Sequence, residues 1–486
     1  MAYLMGIDLG TSSVRAGIYS ADGDCLGISS RSYGIDTPEP GRAEQNPDVW
    51  WSSTSACIRE TLEKAGIEGG DIDGVSFSGQ MHGTVALDSA DRPVAPAVIW
   101  ADTRSEAECA ELTVLLGETR LRSIIMNRMF PGTQAATLRW MMTRDSGAWK
   151  RTRRILTPKD YLRFRMCGLF NTEPSDASAT LLFDTGKREW SDEILKMLTI
   201  PVEFLPYVVN SDQYITESEG IENETGLPDG VPVILGGGDQ PCAALGCGIL
   251  DEGSLLVTIG TGGQIFAPSS SPSASPGLAL NTFCHVHHSR WYTMGATLSA
   301  GLSFRWYRDT FAPGADYDVL GAEAAETPPG ARGLTFVPYL AGKRSPELKP
   351  SAAGSFSGID LGHGRGHYVR AVMEGVVFDL RENLDVMRGM GIAPERVVLS
   401  GGGARSGIWR RIVADVFGIP VEIPSREEQA CFGAALLAGT GVGVYASLHE
   451  AAGIAKHSAA TVEPDDANAA VYAESYERYL KASNES

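Results

Sequence analysis

Short apolar runs alternate with longer amphipathic stretches along the chain, a pattern that predicts a mixed α/β fold. The first run covers residues 4–9 and leads into a Gly/Thr/Ser turn and a second run over 14–20. The turn Ala21-Asp22-Gly23-Asp24 and a third run over 25–33 complete an expected β-meander. Asn46 as N-cap and Pro47 in the first turn predict a helix over 47–64, with Val49, Trp50, Ala56 and Leu62 turned toward a core. Runs over 74–78 and 84–87 predict strands around the tight segment Gly79-Gln80-Met81-His82-Gly83.

The middle of the chain repeats this opening theme. Residues 231–235 form an apolar run that ends in Gly236-Gly237-Gly238-Asp239, and 253–266 again reads as strand, Gly-Thr-Gly turn and strand. A further run, 397–400, ends in Gly401-Gly402-Gly403 and precedes a helical pattern over 407–417. The Ser/Pro-rich stretch 268–277 predicts an exposed loop. No short solenoid period is present. A strand-turn-strand hairpin in each half predicts two related domains, 1–247 and 248–486.

With 486 residues, the length suits two such domains. No stretch reaches the about 20 apolar residues of a membrane span, and the start reads as a strand rather than a signal peptide. Eight cysteines without a CxxC pair predict reduced thiols in a cytoplasmic protein. The net charge of -19 argues against nucleic acid and anionic membranes as partners. An anionic ligand would then be held locally, by backbone N–H groups, a few cations and a metal.

The glycine turns supply that chemistry. In the first, Gly10 allows close backbone approach, Thr11, Ser12 and Ser13 offer donors, and Arg15 offers a positive charge for phosphate oxygens. Asp8, at the strand end, suits magnesium held through water. Gly260-Thr261-Gly262 repeats the chemistry, and Gly401, Gly402 and Gly403 suit close contact with an adenosine. Ordinary hairpin and strand-to-helix turns use the same residues, so each turn alone leaves both readings open. Neither a P-loop nor a strand-placed Gly-x-Gly-x-x-Gly occurs at these places. Asp239, after a buried run and three glycines, is either a general base projecting into a cleft or the cap of a helix over 240–248.

Together, Gly-Ile-Asp-Leu-Gly-Thr-Ser-Ser at 6–13, Gly-Gly-Gly-Asp at 236–239, Gly-Thr-Gly at 260–262 and Gly-Gly-Gly-Ala-Arg-Ser at 401–406 resemble the FGGY carbohydrate kinases. A second family signature runs from Gly354 to Glu374, with Tyr368 at a place where an aliphatic residue or Phe is typical. The resemblance spans residues 3–440. It implies two actin-like (ribonuclease H-like) ATPase domains around a central cleft, with ATP and magnesium as cofactors. Ser78–Gly83, Trp100–Arg104, Pro158–Arg163 and Tyr339–Pro346 are most similar to the xylulokinase branch. That branch implies D-xylulose as substrate.

By the same resemblance, Asp239 is the base, and Asp8 and Asp239 hold magnesium through water. Met81, His82, Trp100, Asp239 and Gln240 line the sugar site. Gly10, Thr11, Ser12, Arg15, Gly260, Thr261 and Gly262 meet the phosphates, and Gly401 to Gly403 meet the adenosine. Gln240 stands where many xylulokinases have Asn, and Thr137 where the family often has Lys; both leave another ketose or polyol open as substrate. A non-catalytic ATP-dependent switch is the alternative of another class, and a homodimer is compatible with the sequence. His285, His287 and His288 lack other ligands at metal spacing and read as a solvated loop or strand.

Overall fold

The computed structural model describes residues 2–456 and 458–486. In the first half, strands β1 (Tyr3–Leu9), β2 (Ser13–Ser20) and β3 (Cys25–Ser32) form the expected meander. Helix α1 (Pro47–Ala65) follows, with the Asn46 side chain accepting from the Asp48 N–H. Trp50 and Leu62 are buried in its inner face, but Val49 is 42% exposed and Ala56 only half-buried. Trp51 takes the place expected for Val49, because the buried stripe starts one residue later. Strands β4 (Gly74–Gly79), β5 (Tyr214–Glu217) and β6 (Pro232–Ile234) complete the sheet, and helix α2 (Asp239–Gly246) follows.

The second half contains β7 (Ser254–Ile259), β8 (Gly263–Ser269), β9 (Asn281–Cys284), β10 (Trp291–Thr297), β11 (Arg396–Ser400), helix α3 (Gly407–Phe417), β12 (Val421–Pro424), helix α4 (Gln429–Gly441) and β13 (Ser458–Val462). The stretch 268–277 is largely exposed, with Ser275 tucked in.

The two sheets repeat one topology. The first runs β3-β2-β1-β4-β6-β5 and the second β10-β8-β7-β11-β12-β13, with β9 added outside β10. In each, three antiparallel strands meet two parallel neighbours, and an antiparallel strand closes the far edge. The Gly10 turn joins β1 to β2, and the Gly260–Gly262 turn joins the equivalent β7 to β8. The repeat therefore places the two hairpins at matching positions.

Helices α2 and α4 follow equivalent strands, β6 and β12, and pack on each other. A Cβ on Gly433 would lie 1.9 Å from the Cys242 carbonyl oxygen, and one on Gly246 would lie 2.0 Å from that of Gln429. Glycine at both places lets the two backbones touch. Helix α4 also covers β1 and β4. Helix α4 therefore completes the core beneath the Gly10 turn, joining Leu4, Tyr19, Cys242, Cys431 and Phe432 in one apolar cluster.

Candidate functional site

The first turn is closed by the Gly10 N–H donating to the Ser13 carbonyl at 3.0 Å, and the Tyr33 hydroxyl donates to the Gly10 carbonyl at 2.5 Å. Ser12 stands exposed at the tip. The Thr11 carbonyl accepts from Gln45 at 2.7 Å, and its hydroxyl accepts from the Trp100 indole at 2.8 Å. Trp100 is thus no core residue: it is 38% exposed and fixed to the hairpin by its polar edge.

Asp8 is buried at the end of β1 and accepts from the Ser78 hydroxyl at 2.8 Å. Arg15 lies directly across the β1–β2 ladder from Asp8. Its guanidinium is 3.8 Å from Asp8 and 3.0 Å from Glu428, just before α4. Two carboxylates already share its charge, because α4 carries Glu428 against the first hairpin.

Asp239 is the first residue of α2. The N-cap position belongs to Gly238, and no side chain caps this helix. The capping reading of Asp239 fails on that geometry. Burial first, and the charge of Asp8 second, push the Asp239 carboxyl up to about 7, against hydrogen bonding from Gln240. Burial also raises Asp8. Two acidic groups that repel each other beside a cleft form a donor set that suits a hard divalent cation, which would relieve the repulsion. Among the described residues no group of three His, Cys, Asp or Glu converges as a complete protein cage.

Met81 is buried against the strap leading to Asp239: a Cβ on Gly238 would lie 2.8 Å from its Cγ. His82 adopts a left-handed backbone, φ 75°, which turns its ring inward between Phe130 and Phe283, at centroid distances of 5.2 and 5.6 Å. Its Nδ1 is 2.8 Å from the Ala179 carbonyl, and burial pushes its pKa down to about 4. At neutral pH the ring is uncharged. Nδ1–H donates to Ala179, leaving Nε2 as an acceptor for a hydroxyl.

Sequence reasoning missed two further residues here. The Arg344 guanidinium lies 6.0 Å from the Trp100 ring and 5.8 Å from Phe130, and Arg128 donates to the Arg344 carbonyl. Both are half-buried, and burial lowers the pKa of each, Arg128 to about 10. Among the described residues neither pairs with a carboxylate. Arg344 sits in the Tyr339–Pro346 segment; Arg128 carried no sequence signal.

A cavity of about 700 Å³ is lined by Gly260, Thr261, Gly402, Gly403, Tyr317 and Arg405, among others. Gly262 and Gly401 do not line it. They shape it instead: the Gly262 carbonyl accepts from Gly260 at 2.9 Å. Gly401, at φ 79°, passes so close to Ile259 that a Cβ would lie 2.7 Å from its carbonyl oxygen. The glycine run forms a short 3₁₀ turn over Gly402–Arg405, and helix α3 begins only after Ser406, whose side chain caps it. Tyr317 and Arg405 were not anticipated, since Tyr317 arrives from a helix distant in sequence.

The FGGY carbohydrate kinase N-terminal domain matches residues 3–246, and the C-terminal domain matches 255–442. The chain belongs to the FGGY family of carbohydrate kinases. It is 36% identical to the xylulose kinase of Bacillus subtilis over 99% of this chain and 96% of that protein. It is 30% identical to the gluconokinase of the same organism, over 92% and 88%. The crystal structure of xylulose kinase from Rhodospirillum rubrum superposes with a TM-score of 0.92 at 27% identity, covering 99% of this chain and 98% of that one. The fold is the family's pair of actin-like α/β units, as the motifs imply.

Other features of this FGGY kinase also depart from the sequence expectation. Thr137 is fully buried, and among the described residues its hydroxyl has no partner. His285 and His287 are buried rather than solvated; only His288 is exposed. Burial pushes His285 down to about 3, so it stays neutral, edge-on to Phe266. Its pKa is depressed on folding, so stability is complete above the unfolded value of about 6.5 and falls as pH drops toward 3. Replacing His285 with Gln is expected to remove on the order of 2 kcal/mol of the loss in stability between pH 7.5 and 5. Urea unfolding at the two pH values measures this; an unchanged slope would exclude His285 as its source.

Proposed function

We propose that this FGGY kinase transfers the γ-phosphoryl group of ATP to D-xylulose, giving D-xylulose 5-phosphate and ADP. The observation that carries this reading is Met81 packed against Gly238, just before Asp239, with the neutral ring of His82 next in sequence, in a chain that also holds a cavity of about 700 Å³ lined by Gly260, Thr261, Gly402 and Gly403. The likeness to xylulose kinases supports it. We divide the chain into domains 1–247 and 248–486, with the cleft between them, and place the enzyme in the cytoplasm.

Each residue has a task. Asp239 accepts the proton of the attacking hydroxyl as the new P–O bond forms and the bond to ADP breaks. The Nε2 of His82 accepts from a sugar hydroxyl, and the Trp100 face packs on the apolar side of the sugar. Gln240 donates toward Asp239 and the substrate. Thr11, Gly260 and Thr261 offer backbone and hydroxyl donors to the phosphates, while Gly402 and Gly403 lie along the adenosine. Asp8 and Asp239 would hold magnesium through water, and the ion would neutralise charge on the phosphate oxygens when bound.

A second reading is favoured by one observation, the pair of arginines without carboxylate partners beside Trp100. Half-buried cations without counter-charge suit an anionic group, so a polyol acid is the competing substrate. A coupled ADP-release assay over D-xylulose, D-ribulose, xylitol, D-arabitol, glycerol and D-gluconate separates the two. D-xylulose is expected to give the highest kcat/KM, and Arg344→Met to change it by less than about tenfold. Preference for gluconate, lost in Arg344→Met, would replace xylulose as the substrate. The absence of turnover on every sugar, with ATP still bound, would return the protein to a nucleotide-dependent switch.

A further inference from the structure

The strap Gly236-Gly237-Gly238 places Asp239, yet glycine has the freest backbone of any residue. Something must fix it. Gly237 and Gly238 pair with Ser78 and Gly79 at the end of β4. The remaining restraints come from a fully buried group around Glu173. The Gly238 N–H donates to the Ser175 hydroxyl at 3.0 Å, and the Gly236 N–H donates to the Ser211 carbonyl at 3.0 Å. Both serine hydroxyls then donate to one carboxylate, that of Glu173: Ser175 at 2.9 Å and Ser211 at 2.7 Å. The backbone N–H groups of Ser175 and Asp176 fill its other positions, at 2.7 and 2.9 Å. All four partners donate, as an ionised carboxylate requires. Its counter-charge is Lys159, 3.7 Å away, which is itself fully buried and bonded to Asp160 at 2.7 Å.

We propose that Glu173, through Ser175 and Ser211, is a positioning residue that fixes the direction of the Asp239 carboxylate. One buried charge holds the two serines that fasten the strap near both ends, so the strap cannot shift at one end without breaking a hydrogen bond to a serine that Glu173 anchors. The inference rests on Asp239 being the base. A carboxylate misplaced by a fraction of an ångström still lets sugar and ATP bind, but it meets the hydroxyl proton poorly.

The test is a double-mutant cycle on kcat. Ser175→Ala removes the link from Gly238 to Glu173 and leaves Glu173 and Lys159 in place. It is expected to lower kcat about tenfold, with KM for sugar and ATP within about twofold. In an Asp239→Asn background the same change is expected to cost nothing further, because the group it positions is gone. General damage to the fold would instead lower both backgrounds equally, and that result, or an unchanged kcat in Ser175→Ala, would overturn the proposal. Should Ser175→Ala fail to fold, Ser211→Ala loosens the other end: the carbonyl that accepts from Gly236 stays but loses its tie to Glu173, so a smaller fall in kcat is expected, again absent in the Asp239→Asn background, and an unchanged kcat there would overturn the proposal. If Asp239→Asn alone kept normal turnover, the assignment of the base would fail instead, so the two failures are distinguishable.

Discussion

Asp239→Asn is expected to lower kcat by about a hundredfold or more while ATP binding is retained. The amide keeps the shape of the carboxylate but cannot take the hydroxyl proton. The cavity proposed for the nucleoside is lined by Gly402, Gly403, Thr261 and Tyr317, and Asp239 is not among its lining residues. Stability should move the other way. The native carboxyl titrates near 7, against about 4 in the unfolded chain. Between those values the native state binds more protons than the unfolded one, so stability falls as pH rises through that window. In the metal-free, nucleotide-free enzyme at pH 8, Asp239→Asn is therefore expected to melt higher than the parent. Steady-state kinetics, nucleotide titration and a melting curve at pH 8 measure the three effects. Near-normal turnover would remove Asp239 as the base.

The second large effect is expected at Asp8. Asp8→Asn preserves the acceptor for the Ser78 hydroxyl, held at 2.8 Å in the parent, and leaves Arg15 paired with Glu428. It removes one of the two negative charges available to magnesium. At limiting magnesium the rate is expected to fall by at least about tenfold, and the magnesium concentration for half-maximal rate to rise. With the repulsion gone, the Asp239 carboxyl moves back toward its ordinary range, because the charge of Asp8 was the second cause of its elevation. A magnesium titration of the initial rate decides the matter: an unchanged requirement would exclude Asp8 from the metal site.

These two aspartates illustrate what a sequence can carry. Asp8 stands near the end of an apolar run just before Gly10, and Asp239 follows an apolar run and three glycines; that local pattern singled both out but left Asp239 open between a base and a helix cap. Trp100 and Met81 were marked only through the motifs that contain them, and their contacts, an indole bond to Thr11 and packing beneath Gly238, come from distant segments. Arg15 shows the opposite case. Its position in the first hairpin was legible, but its pairing with Glu428 depends on the docking of α4.

The amino-acid sequence by itself determined the strands of both hairpins, the capped start of α1, the repeat of the first theme in the second half and the family. Each rests on short-range chemistry: alternation of apolar residues, turn-forming glycines, and a side chain that satisfies a helix end. Tertiary structure alone decided that Val49 faces outward while Trp51 faces in, that His285 is buried and neutral, and that Arg128 meets Arg344. It also decided that Glu173 gathers two serines around the strap before Asp239. Those outcomes depend on which surfaces meet after the elements form. Burial and charge pairing between residues far apart in the chain are properties of that packing, and no local pattern encodes them.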